Sequence, residues 1–280
     1  MSFLASAYTD CQPQLSDQTF ARYQHWLYEK AGISLSVTKK SLVIGRLHLR
    51  LQQQGFNSFE QYFDYFALAA ETSEQKNEQQ AVIDLLTTNE TYFFREEGHF
   101  SFIQQRILTE YHSPPLRCWS AASSSGEEAY SLAMLCMDHY HRPWEIVATD
   151  INSRVLAQAS SGTYPLLRSN NIPLPYLQKY CRKGIGEKAN TFKVVRSLRE
   201  KVKFHQANLQ DSLARFGHFD LILLRNVMIY FDAASKQRVI DNIQRQLNVG
   251  GYLLIGHAET LQSIKAPLKL ISPSIYQKID

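Results

Sequence analysis

A chain of 280 residues, 44% hydrophobic and 20% charged, has room for one large domain or two modest ones. Its 12 glycines and 9 prolines exclude bulk disorder and collagen-like repeats, and no stretch approaches the ~18 apolar residues of a membrane span. The net charge of +4 hides two basic islands, Lys30–Arg50 at a local +5 and Lys179–Lys203 at a local +7, on a remainder at −8; such islands suit an acidic partner met at defined places, or are simply solvated faces. Met1–Asp10 has neither the basic start nor the apolar core of a secretory signal. Four scattered cysteines (Cys11, Cys118, Cys136, Cys181) form no Cys-x-x-Cys pair, so neither a zinc site nor a disulfide framework is suggested. A cytoplasmic protein is the default expectation.

In chain order, residues 16–70 read as helices. Ser16 is a plausible N-cap before Phe20, Tyr23, Trp26 and Leu27, which recur at helical spacing, and Gly32 ends that segment. Val37–Gln54 is a second helix closed by Gly55, and Ser58 caps a third with Phe59, Tyr62, Phe63 and Phe66 on one side. Glu71–Gln80 contains no apolar residue, which makes it the best boundary by composition, or else a solvated linker helix. We therefore expect an all-α domain over residues 1–80 and a second domain over 81–280.

From Leu116 the pattern becomes alternating strands and helices. The expected strands are Leu116–Ala122, Glu145–Thr149, Val202–Gln206, Phe219–Leu224 and Tyr252–His257; the expected helices are Glu127–Asp138, Asn152–Ser160 and Ala234–Leu247. Repeated strand–helix units imply an α/β fold with a mostly parallel sheet covered on both faces. The unit is interrupted between Ala159 and Val202, a stretch too long for a simple connection. It holds the short β-prone run Thr191–Val195 and the stronger basic island, and it reads as an inserted β subdomain at about 165–201.

Ligands of such sheets bind beyond the carboxyl ends of the strands. The first strand runs into Ser123-Ser124-Ser125-Gly126 and then Glu127-Glu128 at a helix start. This is neither the Gly-x-Gly-x-x-Gly fingerprint nor a P-loop. Two carboxylates there oppose a pyrophosphate and suit a cationic ligand, although they could equally complement the helix dipole. Asp150 ends the second strand 24 residues after Gly126, where an acid typically binds ribose hydroxyls; it could also cap the next helix. A ribose-bearing cation points to S-adenosylmethionine. Leu85–Glu96 sets polar residues beside Tyr92, Phe93 and Phe94; it resembles a lid, though alone it reads first as a packed linker. Phe219–Asp232 is a buried strand that stops at Arg225-Asn226, with Tyr230 following as a ligand-facing or core aromatic.

Taken together, Thr87-Thr88-Asn89-Glu90-Thr91 through Arg95, Trp119 through Glu128, Ala148-Thr149-Asp150, Ala207-Asn208-Leu209, Arg225 through Phe231 and Gly256-His257-Ala258-Glu259 resemble the chemotaxis receptor glutamate methyltransferases of the CheR family. The resemblance spans nearly the whole chain. Ala129 departs from it, since many members carry Pro there, which is helpful but dispensable at a first helical turn. It implies a Rossmann-like S-adenosylmethionine-dependent sheet behind a receptor-facing helical domain. By position, the cofactor contacts it implies are Asn89, Thr91, Arg95, Asp150, Asn208, Leu209, Arg225, Asn226 and one of Glu127 and Glu128, with Glu128 favoured. Tyr230 with Arg95 is the implied organiser of the reacting groups.

The implied reaction carries a methyl from a sulfonium to a glutamate carboxylate, leaving S-adenosylhomocysteine. That nucleophile is ionised at neutral pH, so neither a general base nor a metal is required. The nine histidines offer no clear ligand set. The implied partner is the cytoplasmic helical bundle of a receptor, with a C-terminal tether peptide at the insertion in some members. Lys39, Arg46 and Arg50 fall within ~40° of one another on an ideal helix and make a candidate docking stripe, or a solvated face. A nucleic-acid methyltransferase is the first alternative, but Arg225-Asn226-Val227-Met228 stands where such amino-methylating enzymes carry Asp/Asn-Pro-Pro-Tyr/Phe. A catalytically silent receptor-binding adaptor is the second, and the filled cofactor positions argue against it.

Overall fold

The computed structural model describes residues 13–67, 72–111 and 115–279. Met1–Asp10, Cys11 and Glu71, which carry expectations above, lie outside the described residues. The chain forms two compact units, one made of the residues up to Lys30 with Leu35–Leu86, the other of Ala31–Ser34 with Thr87–Asp280.

The first unit is helical. Helix α1 (Asp17–Ala31) begins where Ser16 Oγ accepts from Thr19 N at 3.0 Å, an N-cap bond. The stretch expected as one helix from Val37 divides into a 3-10 turn, Val37–Lys39, and α2 (Lys40–Gln53). Ser58 caps α3 (Phe59–Ala67) through Gln61 N at 3.2 Å, and α4 is Ser73–Leu86. The aromatic residues at helical spacing form the core: Tyr23 meets Phe63 edge-on at 4.9 Å and Trp26 meets Phe66 at 5.0 Å.

Two expectations are corrected here. The polar stretch marked as a boundary belongs to α4, which continues to Leu86, so the units divide after residue 86 rather than at 80. Its amides are buried because they bond to late carbonyls of α3 that lack intrahelical donors: Gln75 Nε2 to Tyr65 O at 2.9 Å and Gln79 Nε2 to Phe66 O at 2.8 Å. Polarity there reports hydrogen-bonded helix packing and not a linker. The basic stripe is also dismantled. Arg50 forms a bidentate pair with buried Glu78 (2.9 and 2.5 Å), which also accepts from Tyr62 Oη, and Arg46 Nη1 donates to Leu86 O at 2.9 Å. Lys39 alone of the three is exposed. Arg50→Ala should therefore lower the stability of this unit by about 1–3 kcal/mol, less than for a fully buried pair because water reaches Arg50. Its thermal midpoint checks this; a midpoint equal to wild type would return Arg50 to the surface role.

The second unit is an α/β sheet. Its strands are β1 (Leu116–Ala121), β2 (Trp144–Asp150), β3 (Thr163–Pro165), β4 (Cys181–Lys183), β5 (Thr191–Val194), β6 (Val202–Gln206), β7 (Phe219–Leu224), β8 (Leu247–Ile255), β9 (Leu268–Ser272) and β10 (Ile275–Lys278). Its helices are α5 (Glu97–Phe102), α6 (Leu108–Glu110), α7 (Glu127–His139), α8 (Ser153–Ser161), α9 (Leu174–Tyr180), α10 (Arg196–Arg199) and α11 (Ala233–Gln246). Seven strands lie in the order β6-β2-β1-β7-β8-β10-β9; the first five are parallel, and β10 runs antiparallel to both neighbours. The order reverses between β1 and β7, which places the switch point at Ala121 and Leu224. Along β7, Leu221 and Leu223 pack with α7 residues such as Leu132, while Ile222 and Leu224 pack with Val239 and Ile240 of α11. Both faces are thus covered, as the uninterrupted apolar run predicts.

The insertion is a three-stranded antiparallel sheet, β3-β5-β4, which starts at Thr163. It is not a loose appendage. Tyr164 packs against Phe93 and Phe192, and its hydroxyl donates to Ser125 O at 2.7 Å, bracing the turn after β1.

Candidate active site

The turn after β1 is held in a conformation that few side chains choose. Ala122, Ser124 and Gly126 all have positive φ (64°, 49° and 92°). A Cβ on Gly126 would lie 2.8 Å from the Ala159 side chain, so this position admits only glycine. Left-handed non-glycine residues persist only when the surroundings fix them. Asp150, at the end of β2, does so: its Oδ2 accepts from Ser124 N at 2.8 Å and its Oδ1 from Asn152 N at 2.9 Å. Asn152, not Asp150, caps α8, accepting from Arg154 N and Val155 N. Asn89 joins this network: its Oδ1 accepts from Asn152 Nδ2 at 2.8 Å and its backbone carbonyl accepts from Ser124 Oγ at 2.9 Å.

The phenylalanine pair of the segment before α5 is packed into the core. Phe93 and Phe94 are core residues, and Phe94 N donates to Ser131 Oγ at 2.9 Å. What the segment presents near the switch point is Thr91, whose carbonyl accepts from Arg168, and Arg95, whose Nη1 donates to Glu90 O at 3.0 Å. Beyond β6, Asn208 Oδ1 accepts from Gln210 N at 3.0 Å, and the Leu209 carbonyl accepts from Asn242 Nδ2 at 2.9 Å.

The two adjacent glutamates have different surroundings. Glu127 is fully buried and bonded to Ser125 Oγ (2.6 Å) and to Arg168 of the insertion (2.5 Å). Glu128 accepts from Ser120 Oγ at 2.6 Å and from Arg225 Nη1 at 2.9 Å. Burial pushes both carboxyls above their usual range, against the pull of these arginines. Arg225, with a side chain 1% exposed, links Glu128 to Glu96, to which its Nη2 donates at 2.9 Å. Burial alone would raise the Glu96 carboxyl, but the Arg225 bond and charge, helped by Asn226 Nδ2 and His257 N, outweigh it and hold it at about 2. Asn226 follows in the left-handed region (φ 58°), and the 3-10 turn Met228–Tyr230 then carries Tyr230, whose carbonyl accepts from Ser34 N.

Three participants escaped the sequence reading. Glu96 was inside a noted segment but without a role. Glu259 accepts from Asn226 N, Gly256 N and Met228 N at 2.7–2.9 Å. His99 is 2% exposed; neither ring nitrogen has a hydrogen-bond partner among the described residues, and its Nδ1 lies 3.3 Å from Glu96 Oε2. Glu96, His99 and His257 bring ligand atoms within 4.8 Å of one another. The donor set nevertheless suits an arginine clamp better than a metal. Both Glu96 oxygens already accept bonds, and a cation would face the Arg225 guanidinium on the same oxygen.

Burial, and next the Arg225 charge, lower the His99 pKa to about 4 from its ordinary 6.5. A buried neutral imidazole contributes stability that is fully present above pH 6.5 and lost as pH falls towards 4. Stability should drop by about 2 kcal/mol between pH 7 and pH 5 from this residue, and His99→Leu should flatten that interval. Denaturant titrations at the two pH values check it; an equal drop in the variant would overturn it.

The whole arrangement sits at the carboxyl ends of β1, β2, β6 and β7. It gathers buried acids around the switch point, and the buried Ser123 Oγ and Arg225 Nε have no hydrogen-bond partner among the described residues. Residues 18–87 match the model described as CheR methyltransferase, all-alpha domain, and residues 89–276 match CheR methyltransferase, SAM binding domain. The chain belongs to the CheR methyltransferase family. Chemotaxis protein methyltransferase 2 of Pseudomonas aeruginosa is 36% identical over 92% of each chain. The chemotaxis protein methyltransferase of Borreliella burgdorferi is 37% identical over 90% of this chain and 91% of its own. That of Escherichia coli is 35% identical over 94% and 91%. As a CheR methyltransferase, this chain uses S-adenosylmethionine as methyl donor and releases S-adenosylhomocysteine. Among the described residues no helix is long and apolar enough to cross a membrane.

Proposed function

We propose that this methyltransferase esterifies glutamate side chains on the cytoplasmic helical bundle of chemotaxis receptors. The observation that carries the reading is the site at the end of β7. Arg225 and Asn226, clamped by Glu96 and Glu128, stand there together with Tyr230, and relatives covering more than 90% of the chain are chemotaxis protein methyltransferases. The donor supplies an electrophilic methyl on a sulfonium. Asp150 keeps lone pairs for the ribose while it holds the Ser124 turn. Glu128 rather than Glu127 faces the donor: it is joined to Arg225 at the end of β7 and keeps some exposure, whereas Glu127 is fully buried against Arg168 of the insertion. Asn89, Thr91, Arg95, Asn208, Leu209, Arg225 and Asn226 complete the pocket. The acceptor is already a carboxylate at neutral pH, so the residues have only to align it and exclude water. Charge is lost in the transition state, and Arg95 with Tyr230 must therefore orient the acceptor without over-binding its ground state.

For receptor capture, the insertion is the better basic surface now that the α2 stripe is tied inward. A cleft there is lined by Arg182, Lys183, Ile185, Lys188 and Lys193, which suits an acidic receptor tail. The reading is tested by incubating the protein with methyl-labelled donor and receptor-bearing membranes in the cytoplasmic orientation. Label should enter the receptor and leave as methanol in mild alkali. Alkali-stable label, or none, would overturn it.

A further inference from the structure

We propose that Glu259 is a positioning residue for the methyl-transfer site: its carboxylate fixes the Arg225–Tyr230 turn in the shape that receives the donor. The proposal deepens the reading above and rests on its placement of Arg225, Asn226 and Tyr230 at the donor.

Glu259 lies four residues after β8, outside the set of side chains placed against the donor. Its Oε2 accepts from Asn226 N at 2.9 Å and from Gly256 N at 2.7 Å, and its Oε1 accepts from Met228 N at 2.7 Å. All three partners are backbone donors, so the site calls for a side chain with two acceptor oxygens and no N–H of its own. Ionised Asp and Glu meet that requirement, whereas an amide would point its own donors at one of them. The bonds reach both sides of Val227. They hold Asn226 in the left-handed region at φ 58°, where a non-glycine residue needs outside support, and they set the start of the 3-10 turn that carries Tyr230.

The backbone around Gly256 is shaped to admit this carboxylate. A Cβ at Gly256 would lie 2.5 Å from Asn226 Nδ2, 2.9 Å from Asn226 N and 2.9 Å from Glu259 Oε2. Two of those atoms belong to the residue being positioned. On its other side Asn226 is held through Nδ2 by Glu96 at 3.1 Å. Asn226 is therefore clamped between two carboxylates, and it is Glu259 that takes its backbone N–H. Without that grip the turn samples other conformations, and the donor binds only the fraction that keeps the competent one. Apparent affinity then falls in proportion to that fraction.

The test compares Glu259→Gln and Gly256→Ala with wild type in the full-length chain. Calorimetry with S-adenosylmethionine reads both Kd and the number of binding sites, and methyl transfer is followed across donor concentrations. In Glu259→Gln the Kd should rise about tenfold or more, from losing a charge-assisted bond. The number of sites should stay near wild type, and the rate at saturating donor should recover most of its value. Gly256→Ala should do the same, because its Cβ meets both the Asn226 amide and the Glu259 carboxylate and so disturbs the grip between them. A wild-type Kd in either folded variant overturns the proposal. So does a reduced number of sites at an unchanged Kd, which is the signature of a residue needed only for folding. If Glu259→Gln does not fold, Gly256→Ala decides by itself. These donor-binding results are separate from the receptor-labelling result, so the inference and the substrate reading can fail independently.

Discussion

Arg225→Met should cost the catalytic unit about 3–5 kcal/mol and abolish donor binding at the same time. Removing one partner of a buried ion pair is expensive because the other charge stays behind unpaired. Here there are two such charges: the Glu96 and Glu128 side chains are 13% and 12% exposed, and both meet the Arg225 guanidinium at 2.9 Å. The loss should depend on pH in a defined direction. In the wild type, Glu96 is held at about 2, so its stabilising share is present above pH 4.5 and is lost as pH falls below that. Without Arg225, burial dominates at both carboxyls and lifts their folded values above the unfolded ones. Stability from groups of that kind is present at low pH and lost as pH rises through the folded value. The deficit relative to wild type should therefore be larger at pH 8 than at pH 5. Adding Glu128→Gln to Arg225→Met should recover part of it by removing one stranded charge. Denaturant midpoints for the three proteins at both pH values decide the matter; a single variant as stable as wild type at pH 8 would show that the trio is solvated.

The legible and illegible parts of this fold differ for physical reasons. Phe219–Leu224 is found at the residues expected, because a buried parallel strand is written as a short apolar run; Val202–Gln206, an edge strand, is found there through the alternation of Val202 and Phe204 with polar residues. Asp150 and Gly126 were legible because strand-end positions after such runs are fixed by topology. The hairpin of β9 and β10 was not, since Leu268–Ser272 is largely exposed and carries little burial pattern. A helix was one of the two readings of the α4 stretch, but its burial was not legible, because its buried groups are amides and a carboxylate satisfied by hydrogen bonds, which composition cannot separate from solvated ones. The Lys39/Arg46/Arg50 stripe has sound helical geometry on its own helix, but pairing is a tertiary matter: Glu78 lies 28 residues beyond Arg50. Glu96 and Glu259 were missed for the same reason. Their partners come from the ends of β7 and β8, brought together only by the sheet.

Asp150→Ala should weaken S-adenosylmethionine binding by about 3–6 kcal/mol, two bonds to a charged acceptor at 1.5–3 each. Beyond the ribose contacts, the structure gives Asp150 a second task. Each carboxylate oxygen already accepts a backbone N–H, from Ser124 and from Asn152, and both of those residues are buried. The variant leaves these donors unpaired and frees a turn with positive φ at Ala122 and Ser124, so the donor's cradle loosens along with the ribose contact. Asp150→Asn separates the two tasks. An amide can keep one backbone bond through its oxygen, but its nitrogen faces the other N–H as a second donor. Affinity in Asp150→Asn should fall between wild type and Asp150→Ala, with a smaller change in thermal midpoint. Calorimetry on the three proteins reads the affinities directly. Wild-type affinity in Asp150→Ala would remove Asp150 from the donor site, and equal losses in both variants would mean that the turn, not the ribose, accounts for the effect.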